Sequence, residues 1–155
     1  MKDTSKRALG CGCAILTALP VLAVLGAVLM FIVPPVFDDI AAARFCRQTE
    51  SALVLPEGAE IFDCRYICAN TSGTGNHIEM VAVFLIDSPA PIDGEELSSA
   101  SGVHLNAATF DGSTDETSWL LRMIGVDLTY FEAENRYLVT ACKTAPLSSI
   151  DLRGH

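Results

Sequence analysis

Four of the six cysteines follow the apolar N-terminal region and carry the clearest chemical potential of the chain: Cys46, Cys64, Cys68 and Cys142. An even number of cysteines in an oxidising compartment favours disulfide bonds, and four cysteines allow three pairings. If Cys64 and Cys68 share one straight strand, their Cα atoms lie about 13 Å apart, beyond the ~7 Å limit for a disulfide. We therefore predict a disulfide from Cys64 or Cys68 to Cys46 or Cys142. Free thiols that pack as small hydrophobic side chains are the alternative.

Cys11 and Cys13 precede the apolar region in a Gly-Cys-Gly-Cys sequence. The functional interpretations are S-acylation, or a metal ion held between two copies of the chain. Two thiols alone are a weak metal signal, so small residues at a helix start explain this sequence better.

The histidines predict neither a catalytic nor a metal centre, because none lies in an H-E-x-x-H arrangement. His77 and Glu79 share one face of a predicted strand, but exposed polar residues at a strand start explain the pair as well as a metal would. No G-x-S-x-G sequence is present, and the Gly-rich stretch 71–76 joins two predicted strands instead of opening a helix. We expect a protein that is not an enzyme and needs no cofactor or metal.

An uncharged stretch from Ala8 to Phe37 must position these residues relative to a membrane. Its densest part, Ala14 to Val33, would be about 30 Å long as a helix, enough to cross the hydrocarbon core of a bilayer. Basic residues precede the stretch and acidic residues follow it: Lys2, Lys6 and Arg7, then Asp38 and Asp39. Since Lys and Arg prefer the cytoplasmic side, we predict a cytoplasmic tail over 1–13, a lipid-embedded anchor over 14–37 in the cell membrane, and an extracytoplasmic domain over 38–155.

A cleaved secretory signal is the alternative for the N-terminus. Ala41 and Ala43 form an A-x-A pattern, and the preceding tail is basic. However, the apolar stretch is too long for a signal peptide, and these alanines lie beyond it and after two acids. We therefore expect the anchor to be retained.

The outer domain is strongly acidic, with eighteen acidic and seven basic residues and a formal charge of −11. Nucleic acid and anionic lipid are recognised by clustered Lys and Arg, so this charge argues against both as partners. The length suits one domain with a modest hydrophobic core.

Hydrophobic periodicity predicts an α+β fold for the outer domain. Apolar residues at helical spacing (Phe37, Ile40, Ala41 and Phe45) indicate a helix over 38–54, which Pro34-Pro35 would separate from the anchor. Alternating patterns indicate strands over 60–70 and 77–87. Capping signatures at Asp93 and Ser113 predict short helices ending near Ala100 and at Gly125, and two more strands are expected over 126–132 and 136–143. The result is an antiparallel sheet of about four strands with two to three helices.

The two first strands differ in their faces. In the first strand, Phe62, Cys64, Tyr66 and Cys68 form one face that we expect to be buried. In the second strand both faces are apolar, which is typical of a central strand covered on both sides.

Three parts of the sequence carry a resemblance: the run from Cys68 to His77, Glu95-Glu96-Leu97 after an apolar strand, and Asp151 to His155. Together they resemble a group of uncharacterised small membrane-anchored proteins of clostridial-type bacteria, over roughly residues 54–155. The resemblance implies an anchored bacterial envelope protein and no particular activity.

Three hypotheses for function remain. The first is an interaction or accessory module whose partner is another membrane or envelope protein. The second is a filament or secretion subunit resembling type IV pseudopilins, although the Gly-Phe processing site and the Glu that follows it are missing and Pro34-Pro35 should interrupt the helix. The third is an envelope hydrolase, which the missing motifs disfavour.

Overall fold

The computed structural model describes residues 4–71, 77–108, 120–126, 129, 131 and 135–154. The elements are α1 (Thr4–Ala52), β1 (Glu60–Ala69), β2 (Glu79–Asp87), α2 (Gly94–Ser101), β3 (Asn106–Ala108), β4 (Arg136–Thr144) and a short 3-10 helix (Leu152–Gly154). The described strands form one antiparallel sheet in the order β1-β2-β4-β3. The predicted α+β class, with an N-terminal apolar helix and a four-stranded sheet, is confirmed.

Helix α1 has two parts that differ in what surrounds them. Its first part is long and apolar enough to cross a membrane. The large apolar side chains from Leu19 to Phe37 are 45–65% exposed, which is typical of a surface that needs a lipid environment. The second part packs on the sheet and on the 3-10 helix. The side chains that it buries recur at helical spacing: Pro34, Asp38, Ala42, Cys46 and Thr49.

Two predictions for this region are wrong. Pro34-Pro35 does not end the helix, because α1 continues through both prolines. A proline inside a helix costs roughly 3 kcal/mol, and the packing of the following four turns on the sheet offsets that cost. The expected apolar face is buried only in part: Ala41, Phe45 and Leu53 pack on the core, but Phe37 and Ile40 are 51% and 48% exposed. The buried stripe also contains Asp38, which was considered in the sequence only as a charge that follows the apolar stretch.

Strand β1 has one irregularity that changes its faces. Ile61 pairs with Ile86 and Asp63 pairs with Leu85, so Phe62 is the extra residue of a β-bulge. Phe62 is 64% exposed and does not lie on the buried face where it was predicted. Beyond the bulge Cys64 and Cys68 are turned toward α1 as expected, but Tyr66, which was predicted on the same buried face, is 48% exposed.

Strand β2 is central and covered on both faces, as predicted. On one face Ala82, Phe84 and Ile86 pack with Cys46 of α1 and with α2 residues. On the other face, four side chains from two strands pack with Leu121: Val81, Val83, Leu85 and Leu138. Arg65 of β1 holds the segment that contains Leu121 against this face. Its Nη1 donates to the carbonyl oxygens of Ile124 at 2.7 Å and Gly125 at 2.6 Å.

The predicted helix at Asp93 is confirmed with its cap. The Asp93 side chain accepts from the Glu95 and Glu96 amides, and Gly102 ends α2 with a φ of 66°. Residues 120–123 are helical and Gly125 has a φ of 70°, as expected for the end of the second short helix. The start of that helix, at Ser113, lies outside the described residues.

The predicted strand over 126–132 is wrong for the residues that the structure describes there. Val126, Thr129 and Phe131 are not in a strand. The edge of β4 is instead occupied by β3, which pairs through Asn106 and Thr140. The short β3 follows α2 in the chain, and Leu105, the residue before β3, is buried in the core.

Candidate functional site

Five side chains meet where α1 enters the outer domain, and we call them the Arg153 cluster: Asp38, Asp39, Cys68, Asp151 and Arg153. Helix α1 supplies the two adjacent aspartates, and β1 supplies the cysteine near its end. The last two come from the segment after β4, which turns back toward α1 through Ser148, whose hydroxyl accepts from the Ile78 amide at 2.9 Å. The cluster therefore joins three distant parts of the chain.

Arg153 makes most of the contacts in this cluster. Its Nε donates to Asp151 Oδ1 at 3.1 Å and to Oδ2 at 3.0 Å, and its Nη2 donates to Oδ2 at 2.6 Å. Nη1 donates to Asp39 Oδ1 at 2.8 Å, and Nη2 lies 3.2 Å from the carbonyl oxygen of Pro35. Hydrogen bonds to Asp151, outweighing desolvation, raise the pKa of Arg153, so the guanidinium stays charged.

Asp38 and Asp151 are fully buried and adjacent, so two negative charges cannot both persist there. Asp38 Oδ1 accepts from the Leu147 amide at 2.9 Å, but Asp38 Oδ2 has no hydrogen-bond partner among the described residues. Burial first, and then the neighbouring Asp151 charge, raise the pKa of Asp38. Burial also acts to raise the pKa of Asp151, but the hydrogen bonds from Arg153 outweigh it and lower that pKa. Asp38 is therefore the member of the pair that takes up a shared proton first as pH falls, and its Oδ2 is the oxygen that can carry that proton.

This proton-sharing pair cannot act on a substrate in the described conformation. Both carboxyls are 0% exposed, whereas an acid-base pair must reach a substrate within hydrogen-bond distance. The contacts instead hold the C-terminal segment against α1. We therefore assign the Arg153 cluster a structural role, which is to position the C-terminal segment on α1.

Two of the four outer cysteines lie together at the middle of the interface between α1 and β1. The sulfur atoms of Cys46 and Cys64 are 2.7 Å apart, and their residues are 18 positions apart in sequence. This is one of the pairings that the sequence left open, and the structure favours it over the others. The disulfide itself stays a prediction, since both side chains are thiols here.

The other two outer cysteines are separated from this pair. Cys68 belongs to the Arg153 cluster, with its sulfur 3.8 Å from Arg153 Nη2. Cys142 is exposed on β4 opposite Val81, on the face of the sheet that points away from Cys64 and Cys68. A disulfide from Cys142 to either of those residues would have to pass through the sheet.

None of the three buried or half-buried thiols is an activated nucleophile. Burial raises the pKa of Cys46 and of Cys64, and it raises the pKa of Cys68 to about 11 despite the nearby Arg153. A reactive cysteine needs the opposite, a lowered pKa that supplies thiolate at neutral pH. The pattern suits structural thiols.

The remaining candidate residues do not come together. His77 and His104 are both exposed, and Glu79 accepts a short hydrogen bond from Thr71 instead of facing a histidine. Among the described residues, no group of three His, Cys, Asp or Glu side chains could hold a metal ion. Cys11 and Cys13 lie in the first turns of α1, and their side chains are outside the description.

A polar depression of about 350 Å³ lies at the opposite end of the sheet. Its lining includes Glu60, Asp87 and Arg136, and Arg136 pairs with Asp87 at 3.4 Å. Arg136 thus compensates one of the two acids. The hydroxyl of Ser88, which also lines the depression, donates to the Ala90 carbonyl oxygen at 2.7 Å, and the lining that the structure describes contains no histidine or lysine that could act as its base.

Comparisons with protein-family models, with curated proteins and with solved structures give no match for this chain.

Sequence reasoning missed the Arg153 cluster because its partners are far apart in the chain. In the sequence, Asp38 indicated the membrane orientation and Asp151 contributed to the resemblance, and the two were not related to each other. One local signal was available: Asp38 stands at helical spacing with Ala42 and Cys46, on the stripe that the sheet buries. A charged residue on such a stripe requires a partner, and Asp151-x-Arg153 was the candidate.

Proposed function

We propose that this chain is a single-pass membrane protein whose residues 1–13 lie in the cytoplasm and whose acidic domain, 38–155, works outside as an interaction or accessory module. The observation that carries the proposal is the continuity of α1 from its exposed apolar part into the buried stripe of the domain. The domain is thereby held next to the membrane without a flexible linker. The resemblance to small anchored proteins of clostridial-type bacteria adds support for a bacterial envelope.

Binding without catalysis is the role that best fits the outer domain. The carboxyls of Asp38 and Asp151 are inaccessible to solvent, and the buried thiols have raised pKa values. The described histidines are exposed and lie apart from each other. A net charge of −11 on the domain disfavours nucleic acid as a partner. We infer that the partner is another membrane or envelope protein.

Cys142 provides a direct test of orientation. A membrane-impermeant maleimide should label intact cells at Cys142, which is exposed, and Cys142→Ser should abolish that label. Cys11 and Cys13 should react only after permeabilisation, with hydroxylamine added first to remove any thioester. Labelling of Cys142 only in permeabilised cells would reverse the proposed orientation. A soluble form that lacks residues 14–37 would instead rule out the anchor.

The module hypothesis is tested by crosslinking in native membranes, followed by mass spectrometry of the crosslinked peptides. We expect adducts to another membrane or envelope protein through residues of the folded outer domain. Asp151→Asn is the matched control, because it should destabilise that domain while leaving the anchor intact. Adducts that persist equally in this variant arise from the anchor, and they would contradict the module hypothesis.

A pseudopilin-like subunit is the second candidate, and one observation favours it. Pro34-Pro35 was expected to interrupt the helix, but α1 is continuous over 49 residues and joins an antiparallel sheet. The missing Gly-Phe processing site still argues against this candidate. In the crosslinking experiment a filament subunit would give a ladder of self-adducts instead of adducts to a different protein.

A further inference from the structure

The segment from Leu147 to Gly154 lies beside α1 at a defined height. Its start is fixed by the Leu147 amide, which donates to Asp38 at 2.9 Å. Its end is fixed by Arg153, which contacts Asp39 at 2.8 Å and the Pro35 carbonyl at 3.2 Å. Both ends of the segment are therefore held at the level of residues 35–39.

This level coincides with the end of the proposed anchor at Phe37. Residues 35 and 39 are only about 6 Å apart along the helix axis, given the rise of an α-helix. The polar headgroup layer of a bilayer is about 5–7 Å thick on each side. If the anchor spans the membrane as proposed, the segment lies in or directly above the outer headgroup layer.

The segment carries two exposed apolar side chains at this height. Ile150 is 44% exposed and Leu152 is 38% exposed. On the neighbouring helix, Phe37 and Ile40 are also about half exposed, at 51% and 48%. These side chains continue the apolar surface of the anchor onto the domain.

The charges next to these side chains are partly neutralised. Asp151 and Asp39 both pair with Arg153, at 2.6 and 2.8 Å, and Asp38 is 0% exposed. The membrane-proximal end of this acidic domain thus presents no excess of cations to lipid headgroups. Contact with lipid there should depend on apolar burial and not on attraction to anionic lipid.

We propose that the segment 147–154 is a membrane-surface contact, in which Ile150 and Leu152 insert into the interfacial layer of the outer leaflet beside Phe37. The inference rests on the proposed function, because it requires that α1 cross the bilayer. Its consequence is that the outer domain rests on the membrane at a fixed orientation. The polar depression at the other end of the sheet is then directed away from the lipid.

Tryptophan quenching in nanodiscs tests this contact on the full-length protein. Ile150→Trp should lose most of its added fluorescence in phosphatidylcholine that carries a nitroxide near the headgroup, after the Trp119 signal of the parent is subtracted. Val54→Trp is the matched control: Val54 is exposed, and it lies about 25 Å beyond Phe37 along the helix direction. Leu25→Trp reports insertion of the anchor. Replacing part of the lipid with phosphatidylglycerol should change none of the three results.

The outcomes separate this inference from the proposed function. If Leu25→Trp is quenched and Ile150→Trp behaves like Val54→Trp, the anchor stands and the surface contact is wrong. If Leu25→Trp is not quenched, the anchor itself is wrong. A blue-shifted but unquenched Ile150→Trp would mean that protein covers the site, which also overturns the contact. Leu152→Trp repeats the test should Ile150→Trp unfold on heating below the parent.

Discussion

Asp151→Asn should destabilise the outer domain by about 1.5–3 kcal/mol, the usual contribution of hydrogen bonds to a charged group. The cost stays below that of a fully buried ion pair, because Arg153 is 33% exposed and keeps Asp39 as a partner. Asp151 is 0% exposed and accepts from Arg153 through both carboxylate oxygens. Asparagine would leave the guanidinium without its main counter-charge and would turn an amide N–H toward it. The segment 147–154 should then separate from α1.

Asp38→Asn should have a small or stabilising effect at neutral pH, although Asp38 is just as buried. If Asp38 is the protonated member of the pair, it accepts from the Leu147 amide and donates through Oδ2 to Asp151. An asparagine side chain can do both. The substitution also removes the cost of keeping a buried acid at a raised pKa. The two aspartates of one pair should therefore respond in opposite ways.

The same prediction sets the direction in which the free energy of unfolding changes with pH. The pKa of Asp38 is raised in the folded state, so its contribution favours folding at low pH and is lost as pH rises through that raised value. The pKa of Asp151 is lowered, so its contribution is present above the ordinary value of 3.8 and is lost as pH falls through the lowered one. Asp38→Asn should remove the first effect and keep the second.

Chemical unfolding of the full-length protein in detergent, followed by circular dichroism at several pH values, measures these differences. Asp39→Asn is the matched control, because Asp39 also contacts Arg153 but its side chain is 54% exposed. The control should cost less than about 1 kcal/mol. Equal destabilisation by Asp38→Asn and Asp151→Asn at neutral pH would show that Asp38 is ionised, and it would contradict the shared proton.

Local rules in the sequence predicted the elements that depend on neighbouring residues. Asp93 and Gly102 bound α2 as a cap and a left-handed stop. The two-sided apolar pattern of β2 correctly indicated its central place in the sheet. In each case the physical cause lies within a few residues of its effect, so one stretch of sequence contains it.

The errors arose where a distant contact overrides a local preference. Pro34-Pro35 would end an isolated helix, but the sheet holds the turns that follow. Asp38 looks like a surface charge until Asp151, more than a hundred residues later, is brought beside it. A strand was predicted over 126–132 next to 136–143, and 106–108, which is the stretch that pairs with β4, was not considered. Composition and periodicity carry no information on such pairings.

The sequence left several disulfide pairings open, and the structure favours one of them, Cys46 with Cys64. We predict that Cys46 and Cys64 form a disulfide outside the cell, with two electrons and two protons passing to an extracytoplasmic disulfide oxidant. Their sulfurs lie 2.7 Å apart, whereas Cys68 and Cys142 are held elsewhere. Closing a loop between residues 18 apart should stabilise the domain by about 2–4 kcal/mol, if the bond is unstrained.

Peptide mapping without reductant, on protein alkylated as the cells are opened, decides the pairing. We expect one linked peptide containing Cys46 and Cys64, with Cys68 and Cys142 alkylated. Four alkylated thiols would remove the disulfide, and a link through Cys68 or Cys142 would contradict the packing of α1 on β1.

Reductant should lower the unfolding midpoint of the parent protein. It should not change the midpoint of a double variant that carries Cys46→Ala and Cys64→Ala. A Cys68→Ser variant should respond to reductant as the parent does. Burial keeps an external thiolate away from the bond, and the raised pKa of both thiols makes either sulfur a poor leaving group. Reduction should therefore be slow in the folded domain and fast once denaturant exposes the pair. Equally fast reduction in the folded and unfolded protein would show that the bond is accessible to solvent. Its role would then be regulatory, and not the structural role that its position between α1 and β1 predicts.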